Sequence, residues 1–425
     1  MDETNQTNEN EIIETWDLKT YYEKLKLIIS KYMDMSEEDK EIVIIWTLSS
    51  FFQKSFNSFP YIFLNAQKSS GKTRLLKLLS HLTNGIYTVN ITEAVLFRKQ
   101  EPIFIDEIED ISRKEKAGLR ELLNVAYKKG GVVERAEKTE RGEIRVKTFP
   151  VYRVVGMANI AGMEDVLEGR CITVILERSL NPIITRIPEL FDLDPDIQEF
   201  KKMSEGLKAY TEEIQNFYTI FFSFLQEIIN KYIQEKKEYT IEELLQLISG
   251  GIDTEEKEDV SKFLVKIWNS QILARDLEVF LPLLIVAWKT FDIDKENFDR
   301  FLEIVKNKVK EREVEDVSKS RDITFLSFLA NKFVKERDAD YIKDIAKEFK
   351  DYENEEWITP VWVAHALTRL KVVKEKKRTS VGVKVWLDVD KIIMKAKQYG
   401  IYEENQTETE EGRLIEWTNK SDFTA

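Results

Sequence analysis

The stretch Asn65-Ala66-Gln67-Lys68-Ser69-Ser70-Gly71-Lys72-Thr73, followed by Arg74, constrains this chain more than any other. It lies between a short apolar run at 61–64 and a helical pattern that begins at 72. A loop in that context cradles phosphate. Its backbone N–H groups and the helix N-terminus face the anion, a lysine (Lys72) reaches the β and γ phosphates, and a hydroxyl (Thr73) is offered to Mg²⁺. Ala66 stands where the pattern G-x-x-x-x-G-K-[ST] has its first glycine, so position 66 must adopt backbone angles open to alanine.

A second motif fits the first. Pro102-Ile103-Phe104-Ile105-Asp106-Glu107 is a buried-strand run ending in two carboxylates. Beside a phosphate loop, Asp106 is expected to hold Mg²⁺ and Glu107 to polarise the attacking water. Another strand-like run, 154–159, ends in Asn159, a candidate for sensing the γ-phosphate or orienting that water. Arg170 precedes a further strand at 172–176 and is placed to reach a neighbouring subunit's γ-phosphate; Arg178, at the far end of that strand, is the rival. The blander readings are a solvated acidic strand end, a turn asparagine and surface arginines.

The 61–186 region alternates strand-like and helix-like segments. This predicts an α/β core with a mainly parallel sheet and helices on both faces. Within it, 131–147 reads as two strands around a polar turn, an inserted β-hairpin carrying Lys138, Arg141 and Arg145. Residues 15–60 form a helical lead-in with Ser36 as an N-cap. Residues 187–320 read as helical, with a capping box at Thr240 and Glu243. In 321–400, helices near 340–352 and 360–370 precede two strand-like runs, the order of a winged helix, with Thr359 as N-cap and Pro360 at the first helical position. The ends, 1–14 and 401–425, are acidic and polar and are expected to be disordered.

Composition removes several classes of function. Two histidines and one cysteine among 425 residues leave little material for zinc clusters, thiol catalysis or a Ser-His-Asp triad. The lone Cys171 and the absence of a signal sequence point to a cytoplasmic protein, and no apolar run is long enough to span a membrane. The net charge of −13 argues against a uniformly basic coat, so contacts to nucleic acid must come from local patches. One is the hairpin; the stronger is C-terminal, with Arg369, Lys376, Lys377 and Arg378 as candidate DNA contacts. Either patch also suits a solvated face or a protein contact.

At Ser69-Ser70-Gly71-Lys72-Thr73, 90–98, Phe104-Ile105-Asp106-Glu107, 119–124, 130–133, 161–163 and 167–170 the sequence resembles a P-loop ATPase family of bacterial, archaeal, plasmid and prophage proteins. Members are often joined to primase-like domains and assigned as helicases. The likeness covers about 46–287, with a weaker echo at 359–390. The hairpin's placement is also similar to that in superfamily 3 and minichromosome maintenance helicases, which work as rings. The resemblance implies an AAA+ or superfamily 3 type core, ATP and Mg²⁺ as cofactors, and self-association into a ring, expected to be hexameric. It further implies single-stranded or forked DNA as partner and a translocase or helicase role in replication of a mobile element or its host. The alternatives are a DNA-binding ATP switch without unwinding, and a nucleotide- or protein-binding module that does not hydrolyse.

Overall fold

A computed structural model describes residues 15–66, 69–89, 91–108, 117–138, 144–159, 165–235, 240, 243, 254–291, 295–319, 321–355 and 357–401. The chain divides into two compact units, Met1–Asn307 and Lys308–Ala425.

The first unit opens with helices α1 (Leu18–Tyr32) and α2 (Glu37–Ser50). Ser36 caps α2 as expected, its Oγ accepting from the Asp39 N–H at 3.0 Å, and three acidic residues in the first turn favour the positive end of the helix dipole. From Ile42 to Ser50 every side chain of α2 is buried, so this helix lies inside the core instead of on its surface. Trp46 is fully covered and donates its indole N–H to the Pro60 carbonyl at 2.9 Å.

The α/β region follows: β1 (Tyr61–Ala66), α3 (Lys72–Leu82), β2 (Ile86–Thr88), α4 (Glu93–Arg98), β3 (Ile103–Ile105), α5 (Ala117–Ala126), β4 (Val132–Lys138), β5 (Ile144–Pro150), β6 (Val155–Asn159), α6 (Asp165–Glu168) and β7 (Cys171–Leu176). Five strands form one sheet in the order β2-β3-β6-β1-β7, and every pairing is parallel. The expected parallel sheet is present. Its central strands β3 and β6 are buried at every position, as crossover helices require, while β2 and β7 at the margins are partly exposed. Gly156 on β6 is demanded by this packing, since a Cβ there would lie 2.6 Å from the Phe104 ring. Strands β4 and β5 pair antiparallel as a separate two-stranded hairpin, from Val132↔Pro150 to Lys138↔Ile144.

Two boundaries depart from the sequence reading. The strand expected from 87 begins at Ile86 and ends at Thr88, because Thr92 caps the short α4 that follows. The strand-like run read at 154–159 starts one residue later, as Val155–Asn159, where its backbone pairs with both β1 and β3.

Beyond the sheet come α7 (Pro195–Met203), α8 (Thr211–Glu235), α9 (Glu255–Ser270), α10 (Ala274–Thr290) and α11 (Lys295–Lys319), within which the division into units falls. The predicted capping box is reciprocal: the Thr240 N–H donates to Glu243 Oε2 at 3.0 Å and the Glu243 N–H to Thr240 Oγ1 at 3.3 Å. Among the described residues no helix is long and apolar enough to cross a membrane.

The second unit runs α12 (Arg321–Phe328), β8 (Ala339–Tyr341), α13 (Ile342–Glu353), α14 (Pro360–Leu370), β9 (Val373–Arg378), β10 (Val383–Leu387) and α15 (Val389–Gln398). Its strands form an antiparallel sheet in the order β8-β10-β9. Thr359 caps α14 through the Trp362 N–H at 3.2 Å with Pro360 at the first position. Strand β8 replaces the first turn of the helix expected from 340. Its three residues exist as a strand only through Lys384↔Tyr341, Val385↔Asp340 and Trp386↔Ala339.

A buried charge in the first unit lacks a carboxylate partner among the described residues. Arg153 is 2% exposed, its Nε donates to the Val151 carbonyl at 3.0 Å, and both terminal nitrogens are buried without a hydrogen bond among the described residues. Burial pushes its guanidinium down to about 10. The unfolded chain therefore binds that proton more tightly. The charged side chain costs stability at every pH below about 10, and the cost fades as pH rises toward its ordinary value. Arg153→Met is expected to stabilise the fold by about 1–4 kcal/mol, read as an upward shift of the chemical-denaturation midpoint at pH 7.

Candidate functional site: the C-terminal edge of the parallel sheet

In an all-parallel sheet the strand ends collect at one edge, where loops are free to bind ligands. Here that edge gathers the loop after Ala66, Thr88, Asp106 and Asn159. Asn65 and Asn159 are register partners on β1 and β6, and β3 pairs β6 from the other side through Ile105↔Met157. Asn159 therefore sits between the phosphate-loop strand and the acidic strand, and it is buried.

The loop's backbone is turned in the way that anion binding needs. Ser69 has φ +69° and Gly71 φ +91°, the latter as the N-cap of α3. Left-handed residues at such a turn aim N–H groups into one concavity. At Gly71 the φ excludes a side chain on strain alone, and a Cβ would also press on Met33 Cε at 3.2 Å. The Lys72 Nζ is buried with no hydrogen-bond partner among the described residues. An unpartnered ammonium at the mouth of such a loop fits a phosphate. Gln67 and Lys68 lie outside the described residues.

Asp106 is 3% exposed and fully engaged. Its Oδ2 accepts from Thr73 Oγ1 at 2.6 Å and from the Tyr87 hydroxyl at 3.1 Å, and its Oδ1 accepts from the Glu107 N–H at 3.0 Å. Thr73 and Asp106 are thus in contact, in the pairing that would present both to one Mg²⁺. Among the described residues no group of three or more His, Cys, Asp or Glu side chains could hold a metal by itself. A hydroxyl, one carboxylate, water and ligand phosphate suit Mg²⁺, which is seldom bound by an all-protein cage. Glu107 differs from Asp106 in exposure and in backbone. It is exposed and takes a left-handed φ of +55°, a strained conformation for a glutamate, directly after the buried aspartate.

The sequence reading missed Tyr87. Burial first, then the Asp106 charge, pushes its hydroxyl up to about 12. The only signal was a tyrosine near the end of a short strand, and the strand had been drawn too far along the chain for the tyrosine to lie at that edge.

Other candidates are placed elsewhere. The Arg74 guanidinium donates to the Ile184 carbonyl at 2.7 Å and the Ile187 carbonyl at 3.3 Å, and lies 3.5 Å from the Glu189 carboxylate. It straps the segment after β7 to α3, so its side chain is turned away from nucleotide. Arg170 precedes β7, and its carbonyl accepts from the Tyr61 N–H at 3.0 Å, at the start of β1. It therefore lies at the opposite edge of the sheet, one β1 length or about 17 Å from the loop, and cannot serve the site of its own subunit. Arg178, exposed beyond Leu176, is on the loop's edge.

Of the hairpin residues, Lys138 ends β4, Arg145 is exposed on β5, and Arg141 lies outside the described residues. In the second unit Lys376, Lys377 and Arg378 are exposed on β9. Arg369, half-exposed, makes a two-pronged pair with Asp322, Nε to Oδ2 at 2.7 Å and Nη2 to Oδ1 at 2.6 Å.

No family model matches the chain, and no curated protein matches it. Among solved structures it is similar to the A form apo structure of the NrS-1 C-terminal region. In the first of two such structures the identity is 12% and the TM-score 0.33, over 86% of this chain and 75% of that one. In the second the identity is 12% and the TM-score 0.35, over 88% and 79%. It is also similar to JCV helicase crystallised with a small thiazolopyridine compound, at 12% identity and a TM-score of 0.26, over 65% of each chain. Likenesses of this size leave the functional reading to the site itself.

Proposed function

We propose that this protein is a Mg²⁺-dependent ATP hydrolase of the AAA+ or superfamily 3 type, acting as an oligomeric DNA translocase or helicase in replication of a mobile element or its host. The observation that carries the reading is a convergence at one sheet edge: a left-handed loop opening α3, a buried Lys72 ammonium without a partner, and Thr73 hydrogen-bonded to Asp106.

In this reading the loop N–H groups of 65–74 and Lys72 hold the phosphates, while Thr73 and Asp106 hold Mg²⁺. The metal, when bound, neutralises charge on the β and γ phosphate oxygens. Glu107 orients the attacking water and takes its proton, and Asn159 fixes the far side of the γ-phosphate. Arg170 acts on a neighbouring subunit, where it stabilises charge that develops on the transferred group. The hairpin presents Lys138, Arg141 and Arg145 to DNA. The second unit, with its order of helix, strand, two helices and hairpin, is read as a winged helix.

The test is steady-state ATP hydrolysis with and without single-stranded and forked DNA, with mass measured on the same samples. Hydrolysis by an oligomer, stimulated by DNA and lost in Lys72→Ala and Arg170→Ala, is the expected result. Hydrolysis indifferent to DNA would replace the motor with an ATP switch, and bound nucleotide without turnover would leave a binding module.

Tyr87 is a positioning residue in this scheme, since its hydroxyl shares Asp106 Oδ2 with Thr73. Tyr87→Phe is expected to raise the Mg²⁺ concentration at half-maximal hydrolysis about tenfold, while nucleotide affinity in the absence of metal stays unchanged. A loss of both would mark a merely structural role.

A further inference from the structure

In the second unit, helix α14 and the edge strand β9 enclose a cleft of about 370 Å³. Three lysines line it, Lys371, Lys376 and Lys391, with the Thr368 hydroxyl, over an apolar floor that includes Leu367 and Val385. The sheet's alternation makes this arrangement unusual. Lys376 lies directly opposite Val385, which is 1% exposed in the core. Residues opposed across a ladder share a face, and period two adds Arg378 to it, while a register shift at Trp386/Leu387 sets Val373 against Leu387. Beyond Val373, which packs on the core, the side of this edge strand that faces the core is thus basic at Lys376 and Arg378, where packing would favour apolar residues. Lys371 and Lys376 have no carboxylate partner among the described residues. Lys391 has Asp388 at 3.5 Å, and Lys374 has the same aspartate at 3.9 Å.

The outward face of α14 is the opposite case. Its exposed central and C-terminal positions are Val361, His365, Thr368 and Arg369, and Arg369 is locked to Asp322. A helix so furnished offers base edges almost no donor of the kind that reads sequence. The cleft also lacks an aromatic ring on which a base could stack.

We infer that this cleft is a sequence-neutral seat for the phosphodiester backbone of nucleic acid. A phosphate meets Lys371, Lys376 and Lys391, its sugar lies on the Leu367 and Val385 floor, and Arg378, on the same face of β9 as Lys376, extends the track. The inference deepens the DNA-binding part of the function proposed above, and rests on that part alone.

The test is binding of the full chain, without nucleotide, to fluorescent single-stranded and duplex DNA of two unrelated sequences over a series of salt concentrations. The triple variant Lys371→Asn, Lys376→Gln, Lys391→Gln keeps a residue that tolerates the left-handed backbone at position 371, where φ is +55°. It is expected to weaken binding at least about tenfold for every sequence and to lower the salt slope by about two to three. Arg369→Ala, with its circular dichroism matched to wild type, is expected to leave binding within about twofold. If wild type binds DNA and the triple variant binds equally well, the cleft is not the seat. Loss of one sequence's binding in Thr368→Ala or His365→Ala would overturn sequence neutrality, and competition by polyglutamate as effective as DNA would reassign the cleft to acidic protein. ATP hydrolysis measured on the same proteins reports separately on the sheet-edge site: wild type that hydrolyses ATP yet binds no DNA overturns the inference and spares the ATPase reading.

Discussion

Lys72→Met is expected to lower ATP hydrolysis about 10²–10³-fold and, at the same time, to raise the melting temperature of the nucleotide-free protein. Both effects follow from one observation: the Lys72 ammonium is buried at the loop with no hydrogen-bond partner among the described residues. In the folded chain it has given up water without compensation, at a cost of about 1–3 kcal/mol for a group left unsatisfied. Methionine keeps the length and apolar stem of the side chain and removes that cost. Phosphate would supply the missing partner, so nucleotide should raise the melting temperature of the wild type by more than that of the variant. Calorimetry of both proteins with and without ATP reads all four numbers. A variant that is less stable than wild type, or is stabilised equally by ATP, would separate Lys72 from phosphate binding.

Glu107 sets up the second large effect. Its backbone is left-handed, φ +55°, and its side chain is exposed directly after the buried Asp106. For a residue with a Cβ that geometry costs about 1–2 kcal/mol. Glu107→Gln keeps the strain and the shape but loses the base, so hydrolysis should fall about 10²–10⁴-fold with ATP affinity retained. Glu107→Gly should lose hydrolysis to the same extent and gain about 1 kcal/mol of stability, because glycine adopts positive φ at no steric cost. Single-turnover hydrolysis, ATP binding and urea unfolding on the two variants distinguish a strained functional position from an ordinary turn. If Gly is no more stable than Gln, the strain is not there to be relieved.

Much of this site could be read from the sequence because its signals are local. A strand, a loop and a helix N-terminus adjoin at Ala66 to Thr73, and a buried apolar run ends in Asp106 and Glu107. Caps such as Ser36 and Thr359 are local too, and each was placed correctly. What could not be read depends on pairing between distant residues. The position of β6 between β1 and β3 brings Asn159 beside Asn65, and no periodicity encodes that order. Tyr87 acquires a role only once β2 is laid against β3. Arg74 follows the loop immediately and so looked like part of it, yet the carbonyls of Ile184 and Ile187, more than a hundred residues away in sequence, decide where its guanidinium goes. Strand β8 has too few residues to carry a pattern and is defined by its partner β10.

The placement of Arg170 at the sheet edge opposite the phosphate loop has a consequence for how copies of this chain can join. A surface that carries the loop and a surface that carries Arg170 are different faces of one molecule, about 17 Å apart along β1. Because the two lie at opposite edges of the sheet, an assembly that brings one copy's arginine to another copy's loop through separate faces is heterologous. It must run head to tail, with a direction, and every contact leaves one unused loop at one end and one unused arginine at the other until the rotation closes on itself or the array continues as a filament.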